Sequence, residues 1–464
     1  MSRWFLARSA GSVAGLVLAV ACSGQDSGPT YHPSGERAST TPDGGAGVAS
    51  GTGGTDASAR GDGDGAAGTG EGSGSIGTEV PWRGPLPPQN GAAFPFPQNR
   101  ESAPCIYPTD YSNEHVLDAY ETWKADVVTA EGAGGYLRVQ RLATDPALEL
   151  NSTVSEGIAY GLMIAVYMND QPLFDGLWKY ERLWTDPATG LMHWYINAEG
   201  TDLGENGVGA ATDADEDMAW ALVMADRQWG GQGTLDRTYV DYAKGLIAAI
   251  WAFEIYDFKL PRNGSEWGDW LNLNISYFAP AYYRVFAEVS SNSAWVSSVV
   301  KTVYDTIDNN LDAEKGNLDN GLVPAWSTSE GGSVPGQPFH YQYDSCRTPF
   351  RIGLDACFNG EPRALAYVGK TSSFFSVLGA SGIEDGYELD GTPRPEHPGE
   401  QSAAFVGPAG VGAMASTEYQ DFLDDTYRLL VSGNLLCGGQ YYDESWTVLS
   451  LLMMTGNFLD YTKY

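Results

Sequence analysis

Two stretches of this 464-residue chain are apolar on every face that a helix could present, and each is led by acid. Residues 218–225 carry no charged or amide side chain and follow Asp213, Asp215, Glu216 and Asp217, while the apolar run 158–167 follows Glu156. A helix with no polar face cannot lie on a surface, so both must sit inside an assembly of other elements. Each then carries its acidic end inward, where an unpaired carboxylate is costly. Thr212 reads as an N-cap with Asp215 three residues on as a loose capping box. Acids are favoured at helix N-termini by the macrodipole, but that preference does not account for the buried run behind them.

The rest of the folded part is also helical. About a dozen helix-like segments follow residue 94, and alternating strands are not evident. The segments span 114–129, 156–168, 172–183, 213–227, 237–253, 277–289, 294–311, 347–358, 363–378, 403–415, 417–431 and 445–460. Some are apolar throughout and others amphipathic, such as 294–311 with Lys301 and Asp305 outward, which predicts an all-α fold with an inner ring of helices wrapped by an outer one.

A third acid, Asp344, precedes Arg347 by three residues, within reach on a turn or helix start. A guanidinium there is expected to hold Asp344 ionised, as a general base requires. Long Gly- and Trp-bearing loops at 186–211, 260–276 and 314–344 pool Trp194, Tyr195, Trp267, Trp270, Trp326, Tyr341 and Tyr343 near these acids. Aromatic faces stack on the apolar faces of sugar rings, so the pooling points to a saccharide groove.

Arg3, Arg8 and the apolar run 10–21 read as an export signal, too short to span a bilayer. Leu18-Ala19-Val20-Ala21-Cys22 resembles the lipobox of bacterial lipoproteins, which would make Cys22 a lipidated first residue; cleavage by ordinary signal peptidase nearby is the alternative. Residues 1–22 are thus assigned to the signal, 23–93 to a Gly/Ser/Thr/Pro-rich tether and 94–464 to the catalytic domain. As a random coil of about 65 residues the tether would span roughly 45 Å. The expected location is secreted or cell-surface. Four cysteines remain, Cys105, Cys346, Cys357 and Cys437, an even number consistent with two disulfides in an exported protein. Cys346 with Cys357 is the favoured local pairing, the other connectivities staying open. The formal charge of −33 argues against nucleic acid and anionic lipid as partners and is compatible with a neutral polysaccharide or a polycation.

Residues 211–225, with Trp229 beyond them, resemble the signature of glycoside hydrolase family 8. Similarity continues in Ser155-Glu156-Gly157 with Tyr160-Gly161, in Gly190-Leu191-Met192 leading to Trp194, and in residues 273–280. It extends to Tyr343-Asp344 with Arg347 and Arg351, and to Tyr441-Tyr442-Asp443 running to residues 455–458. The resemblance implies an (α/α)6 barrel, monomeric and without metal or cofactor, that cleaves β-1,4-linked polysaccharide with inversion. It implies Glu156 as general acid, Asp344 as base and Asp213 as a third acid holding the distorted sugar. Trp194, Trp267, Tyr277 and Tyr441 would bind substrate, and Arg347 would partner the base. Ile275 and His193 depart from the family pattern and bear on fine specificity. Cellulose or mixed-linkage glucan is the first expectation for substrate, xylan the second and chitosan the third.

Other readings fit less well. The Asp213, Asp215, Asp217 spacing mimics a calcium loop, but Met218 and Met224 stand where its Gly and Glu belong. An Asp-x-Asp nucleotide-sugar transferase should alternate strand and helix, and the five histidines lack metal-ligand spacing. A non-catalytic sugar-binding lipoprotein on the same scaffold would leave three acids without a purpose.

Overall fold

The computed structural model describes residues 91–142, 149–395, 399–435 and 440–464. The signal segment with Cys22, the tether up to residue 90, and Cys437 lie outside them.

Twelve α-helices are present among the described residues: α1 (Asn113–Val127), α2 (Ser155–Tyr167), α3 (Gln171–Leu183), α4 (Thr212–Trp229), α5 (Tyr239–Phe253), α6 (Pro280–Ser290), α7 (Lys301–Asn310), α8 (Thr348–Asn359), α9 (Pro362–Leu378), α10 (Ala403–Ala413), α11 (Gln420–Val431) and α12 (Tyr441–Met454). Each even-numbered helix touches the next and α12 returns to α2, closing a ring. The odd-numbered helices wrap it: α1 lies on α12, α3 on α2, α5 on α4, α9 on α8 and α11 on α10, while α7 reaches α6 through the π-helical turn Trp295–Val300. This is the (α/α)6 barrel.

Burial follows from that placement. Every residue of α4, α10 and α12 is buried, whereas α11 buries only Phe422, Leu423, Thr426, Tyr427 and Leu430, one stripe at helical spacing. Glycines permit the close approach between the rings, since a Cβ on Gly161 would stand 2.7 Å from Leu177 Cδ1 of α3. Trp220, fully buried on α4, stacks on Tyr282 of α6 at 4.4 Å and donates its indole N–H to Tyr167 of α2 at 2.9 Å. Truncating such a side chain typically costs about 3–5 kcal/mol.

The ring has two unlike ends. Glu156, Asp213, Arg347 and Tyr441 stand at the starts of α2, α4, α8 and α12, so every connection from an outer helix to the next inner one gathers at one end. Among the described residues these connections carry four two-stranded antiparallel ladders, including Thr153–Val154 with Tyr195–Ile196 and Leu273–Asn274 with Trp326–Ser327.

Several expectations require correction. Ala211, not Thr212, is the N-cap of α4, and it caps through no side chain; Thr212 is already helical, with its backbone N–H donating to the Asn263 carbonyl at 3.2 Å. The predicted Cys346–Cys357 disulfide is absent: Cys357 pairs with Cys105, and Cys346 is a buried free thiol. Cys346 sits in the turn before α8 and Cys357 near its far end, about 16 Å along a helical path and well beyond disulfide reach. Tyr277 lies in a 3-10 turn ahead of α6, and α12 begins four residues earlier than its apolar pattern does.

Candidate active site

The second residues of α2 and α4, Glu156 and Asp213, meet at the open end of the ring on a single cation. Arg347 directs Nη1 to Glu156 Oε1 and, at 2.7 Å, to Asp213 Oδ2. Its Nη2 reaches Asp344 Oδ1 at 3.1 Å and Ser276 Oγ at 2.8 Å. The three predicted acids are thus brought together, with Glu156 and Asp344 on different nitrogens of one guanidinium. Arg351, one turn on from Arg347, forms a two-pronged pair with Asp217 at 2.9 and 2.8 Å. Asp213 and Asp217, four apart on α4, are therefore matched by two arginines four apart, Arg347 just ahead of α8 and Arg351 within it. Asp215, on another side of α4, faces Glu254 instead. That divergence is why the calcium-like spacing does not converge, and no metal-holding group of His, Cys, Asp and Glu occurs among the described residues.

Glu156 Oε1 takes two donors, Arg347 and the Tyr160 hydroxyl at 2.8 Å, while Oε2 takes one, the Tyr441 hydroxyl at 2.8 Å. A proton on this carboxyl therefore belongs on Oε2, where a lone pair remains. Burial pushes the Glu156 pKa up to about 7; Arg347 opposes, the Asp213 charge adds to the rise, and both tyrosines oppose it. Asp344 accepts from Gln342 Nε2 at 3.2 Å on Oδ2. The expected guanidinium is present, but burial outweighs it and the Asp344 pKa is raised, with Arg347 and Asn274 pulling it down. One cation shared by three carboxyls cannot hold each as low as a dedicated partner would.

The predicted aromatics divide into two groups. Trp194 lies beside the acid, its carbonyl accepting the Ser155 N–H at 2.9 Å and its indole donating to the Asn206 carbonyl at 2.9 Å. Trp267 is half-buried on Trp326, ring centroids 5.5 Å apart, in a loop joined to the start of α4 by a bond from the Ala210 N–H to Ser265 Oγ at 3.1 Å. Tyr277 and Tyr441, buried like Trp194, lie inside the cluster itself. The Tyr277 ring lies 5.2 Å from the Arg347 guanidinium carbon, and its buried hydroxyl has no hydrogen-bond partner in the protein. Tyr441 packs on Gly157 and bonds the acid. Trp326, Tyr341 and Tyr343 prove to be packing residues, buried against Trp267, Phe375 and Phe405 respectively.

Hydrogen-bond partners of the acids were the part sequence reasoning missed. Tyr160 was signalled by its place one helical turn after Glu156. Ser276, whose hydroxyl donates to Asn274 Oδ1 at 2.7 Å, lies within the matched run 273–280 but received no role there, and Gln342 carries no pattern that marks it.

Carboxyls grouped on one cation at one end of a helical barrel, with the half-buried indole of Trp267 nearby, form an acid–base site for a polyhydroxylated substrate. The chain belongs to the glycosyl hydrolases family 8, whose model matches residues 101–456. It is 37% identical over 341 residues to Endoglucanase A of Acetivibrio thermocellus, covering 73% of this chain and 68% of that one. Endoglucanase 2 of Ruminiclostridium josui is 35% identical over 381 residues, with 80% and 78% covered. The apo structure of a beta-1,3-1,4-glucanase from Paenibacillus sp. X4 superposes with a TM-score of 0.68 at 26% identity, over 79% of this chain and 99% of that one. The protein is a glycoside hydrolase.

Proposed function

We propose that the enzyme hydrolyses β-1,4-linked glucan, cellulose or mixed-linkage β-glucan, with inversion at the anomeric carbon. Glu156 donates the Oε2 proton to the leaving glycosidic oxygen, and Asp344 takes a proton from the attacking water. Asp213, fixed by Arg347, accepts hydrogen bonds from hydroxyls of the distorted sugar, and the unpaired Tyr277 hydroxyl donates to the same sugar or to the water. Trp267, half-buried, supplies a stacking face, and Trp194, buried beside Glu156, meets the sugar with only the small part of its ring left open. The observation that carries this reading is the placing of two carboxyls on different nitrogens of one guanidinium: Glu156, pushed up to about 7, keeps a proton near neutrality, and Asp344, although burial raises it too, is pulled back toward its ionised form by Arg347, Asn274 and Gln342. Inversion needs room for a water between them, roughly 6.5–9.5 Å between carboxyls.

Endoglucanase names among the relatives support the glucan assignment. Export through residues 1–22, and anchorage at Cys22, are part of the same proposal, since a polymer substrate lies outside the cell. The test is reducing-end release from soluble cellulose derivative, mixed-linkage glucan, xylan and chitosan, with Glu156→Gln as control and the product anomer read by NMR. Initial release of α-anomer from a glucan, abolished in the control, is expected. Initial β-anomer would sink the inverting mechanism, and turnover of only xylan or chitosan would sink the glucan assignment.

A further inference from the structure

The connection from α5 to α6, on the catalytic rim, opens with a hairpin whose three-residue loop begins with two residues in left-handed backbone. Ile255–Tyr256 pairs with Leu260–Pro261, and the turn between them has Asp257 at φ 51° and Phe258 at φ 57°. Asp257 and Phe258 are the central pair of a turn closed by the Lys259 N–H on the Tyr256 carbonyl at 3.0 Å, and with both φ positive such a pair is what Asn-Gly fills without strain, whereas a bulky side chain is disfavoured there. Phe258 nevertheless occupies it with 61% of its surface exposed, only partly resting on Trp251 at 5.7 Å. Strain maintained at an exposed aromatic is an observation that asks for a use.

Phe258 is not isolated. Phe253, Tyr256 and Leu271 are exposed nearby, and Trp270 donates its indole N–H to Asp257 Oδ2 at 3.2 Å. Arg262 fastens the ledge to the cleft loop, donating to the carbonyls of Phe253, Ser265 and Gly268 at 3.2, 3.1 and 3.1 Å with its guanidinium carbon 6.0 Å from the centre of the Tyr256 ring. The same loop holds Trp267 three residues before Trp270, so the ledge continues outward from the cleft. Beyond Trp270 lies a recess of about 480 Å³ whose polar lining includes Asp308, Asn309, Ser329 and Arg363. Apolar ring faces beside carboxylate, amide and guanidinium groups match a pyranose chain, apolar on its faces and hydroxylated at its edges.

Resting on the glucan reading above, we propose that this ledge, Tyr256, Phe258, Trp270 and Leu271, is an accessory surface that binds a stretch of β-glucan polymer outside the cleft. The full chain carrying Glu156→Gln, so that nothing is hydrolysed, is adsorbed to amorphous cellulose in the presence of saturating soluble cello-oligosaccharide to fill the cleft. Phe258→Asn is compared in that background. Asn is at home in left-handed backbone, so its melting temperature is expected to hold or rise while adsorption falls by about two- to tenfold. The triple change Tyr256→Ser, Phe258→Asn, Leu271→Ser should lower it further. In the otherwise native chain, Phe258→Asn leaves turnover of soluble oligosaccharide unchanged and slows release from the insoluble polymer. Adsorption equal to that of the parent in both variants, with melting intact, overturns the ledge. Failure of the native chain to turn over any soluble glucan overturns the functional reading instead, and the adsorption comparison then still decides whether the ledge binds polymer.

Discussion

Replacing Arg347 by Met would leave Glu156, Asp213 and Asp344 buried together without the cation that touches all three. Breaking one buried pair by deleting a partner typically costs about 3–5 kcal/mol, because the remaining charge is stranded. The cost depends on pH, and its sign follows from linkage. Arg347 lowers the pKa of both Glu156 and Asp344, against burial that raises them, so its removal lets both rise further. An acid whose folded pKa is raised contributes stability that is fully present below the unfolded value and lost as pH climbs through the folded one. Arg347→Met should therefore be mild at about pH 4.5, and its cost should grow as pH climbs above about 7, where Glu156 ionises in the parent but not yet in the variant. For a folded unit of roughly 370 residues, the unfolding entropy of about 2.1 cal/mol/K per residue converts 3–5 kcal/mol to a melting drop of about 4–6 °C. Thermal unfolding followed by circular dichroism at the two pH values measures it. A drop as large in acid as at neutral pH would refute the reasoning, since the arginine would then matter for packing rather than for charge.

Other outcomes follow from the same geometry. For the active enzyme, kcat/KM is expected to fall above about pH 7 as Glu156 loses its proton, and Tyr441→Phe, which deletes a hydrogen bond that lowers this pKa, should move that limb to higher pH; a limb moving to lower pH would contradict it. Tyr277→Phe removes a buried hydroxyl that has no partner in the protein, so stability should hold or improve while kcat falls by roughly 10- to 100-fold, as measured by melting and steady-state kinetics; unchanged kcat would remove Tyr277 from the mechanism. Cys105→Ser should lower stability by about 2–5 kcal/mol in denaturant titration whereas Cys346→Ser should not open any crosslink, and equal losses would count against the Cys105–Cys357 assignment. Gly161→Ala forces a methyl into Leu177 and Val139, and overpacking of this kind costs about 1–3 kcal/mol; a neutral effect on melting would mean that α3 yields more readily than its contacts imply.

How much of this was legible in the residues depended on what kind of contact was involved. The rings were legible because burial writes itself into periodicity: α4 has no polar stripe after its first turn, and α11 has one. The acids were legible because charge beside an apolar run is conspicuous. Their dressing was not, because Ser276, Gln342 and Tyr441 reach Glu156, Asp344 or Arg347 from other elements or loop positions and no local pattern encodes such a meeting. The disulfide failed for the complementary reason: proximity in sequence favoured Cys346, but a helix converts eleven residues into distance, and Cys105, 252 residues away, lies against Cys357. Tyr277 and Tyr441, expected to bind substrate, lie against the acids but are buried, and that burial depends on neighbours that a single segment does not reveal.

The crowding of acid that opens α4 also carries less charge than its composition implies. Asp213 and Asp217 have arginines, but Asp215 faces Glu254, with Glu181 nearby, and burial pushes Glu254 up to about 8 and Glu181 up to about 7. Asp215 is raised well above the ordinary carboxylate range by burial and by the Glu254 and Glu181 charges. Two buried carboxyls in contact are stable only if they share a proton, so this group behaves near neutrality as hydrogen-bonded acids rather than as anions. By the same linkage rule, their stability contribution is complete below about pH 4.5 and is lost toward about pH 8. Glu156 and Asp217, pushed up to about 7 and about 6, add losses within that window. The fold should therefore be most stable in mild acid, and a melting temperature that rises steadily from about pH 5 to about pH 8 would mean that these carboxyls are ionised in the native state and held by partners other than one another.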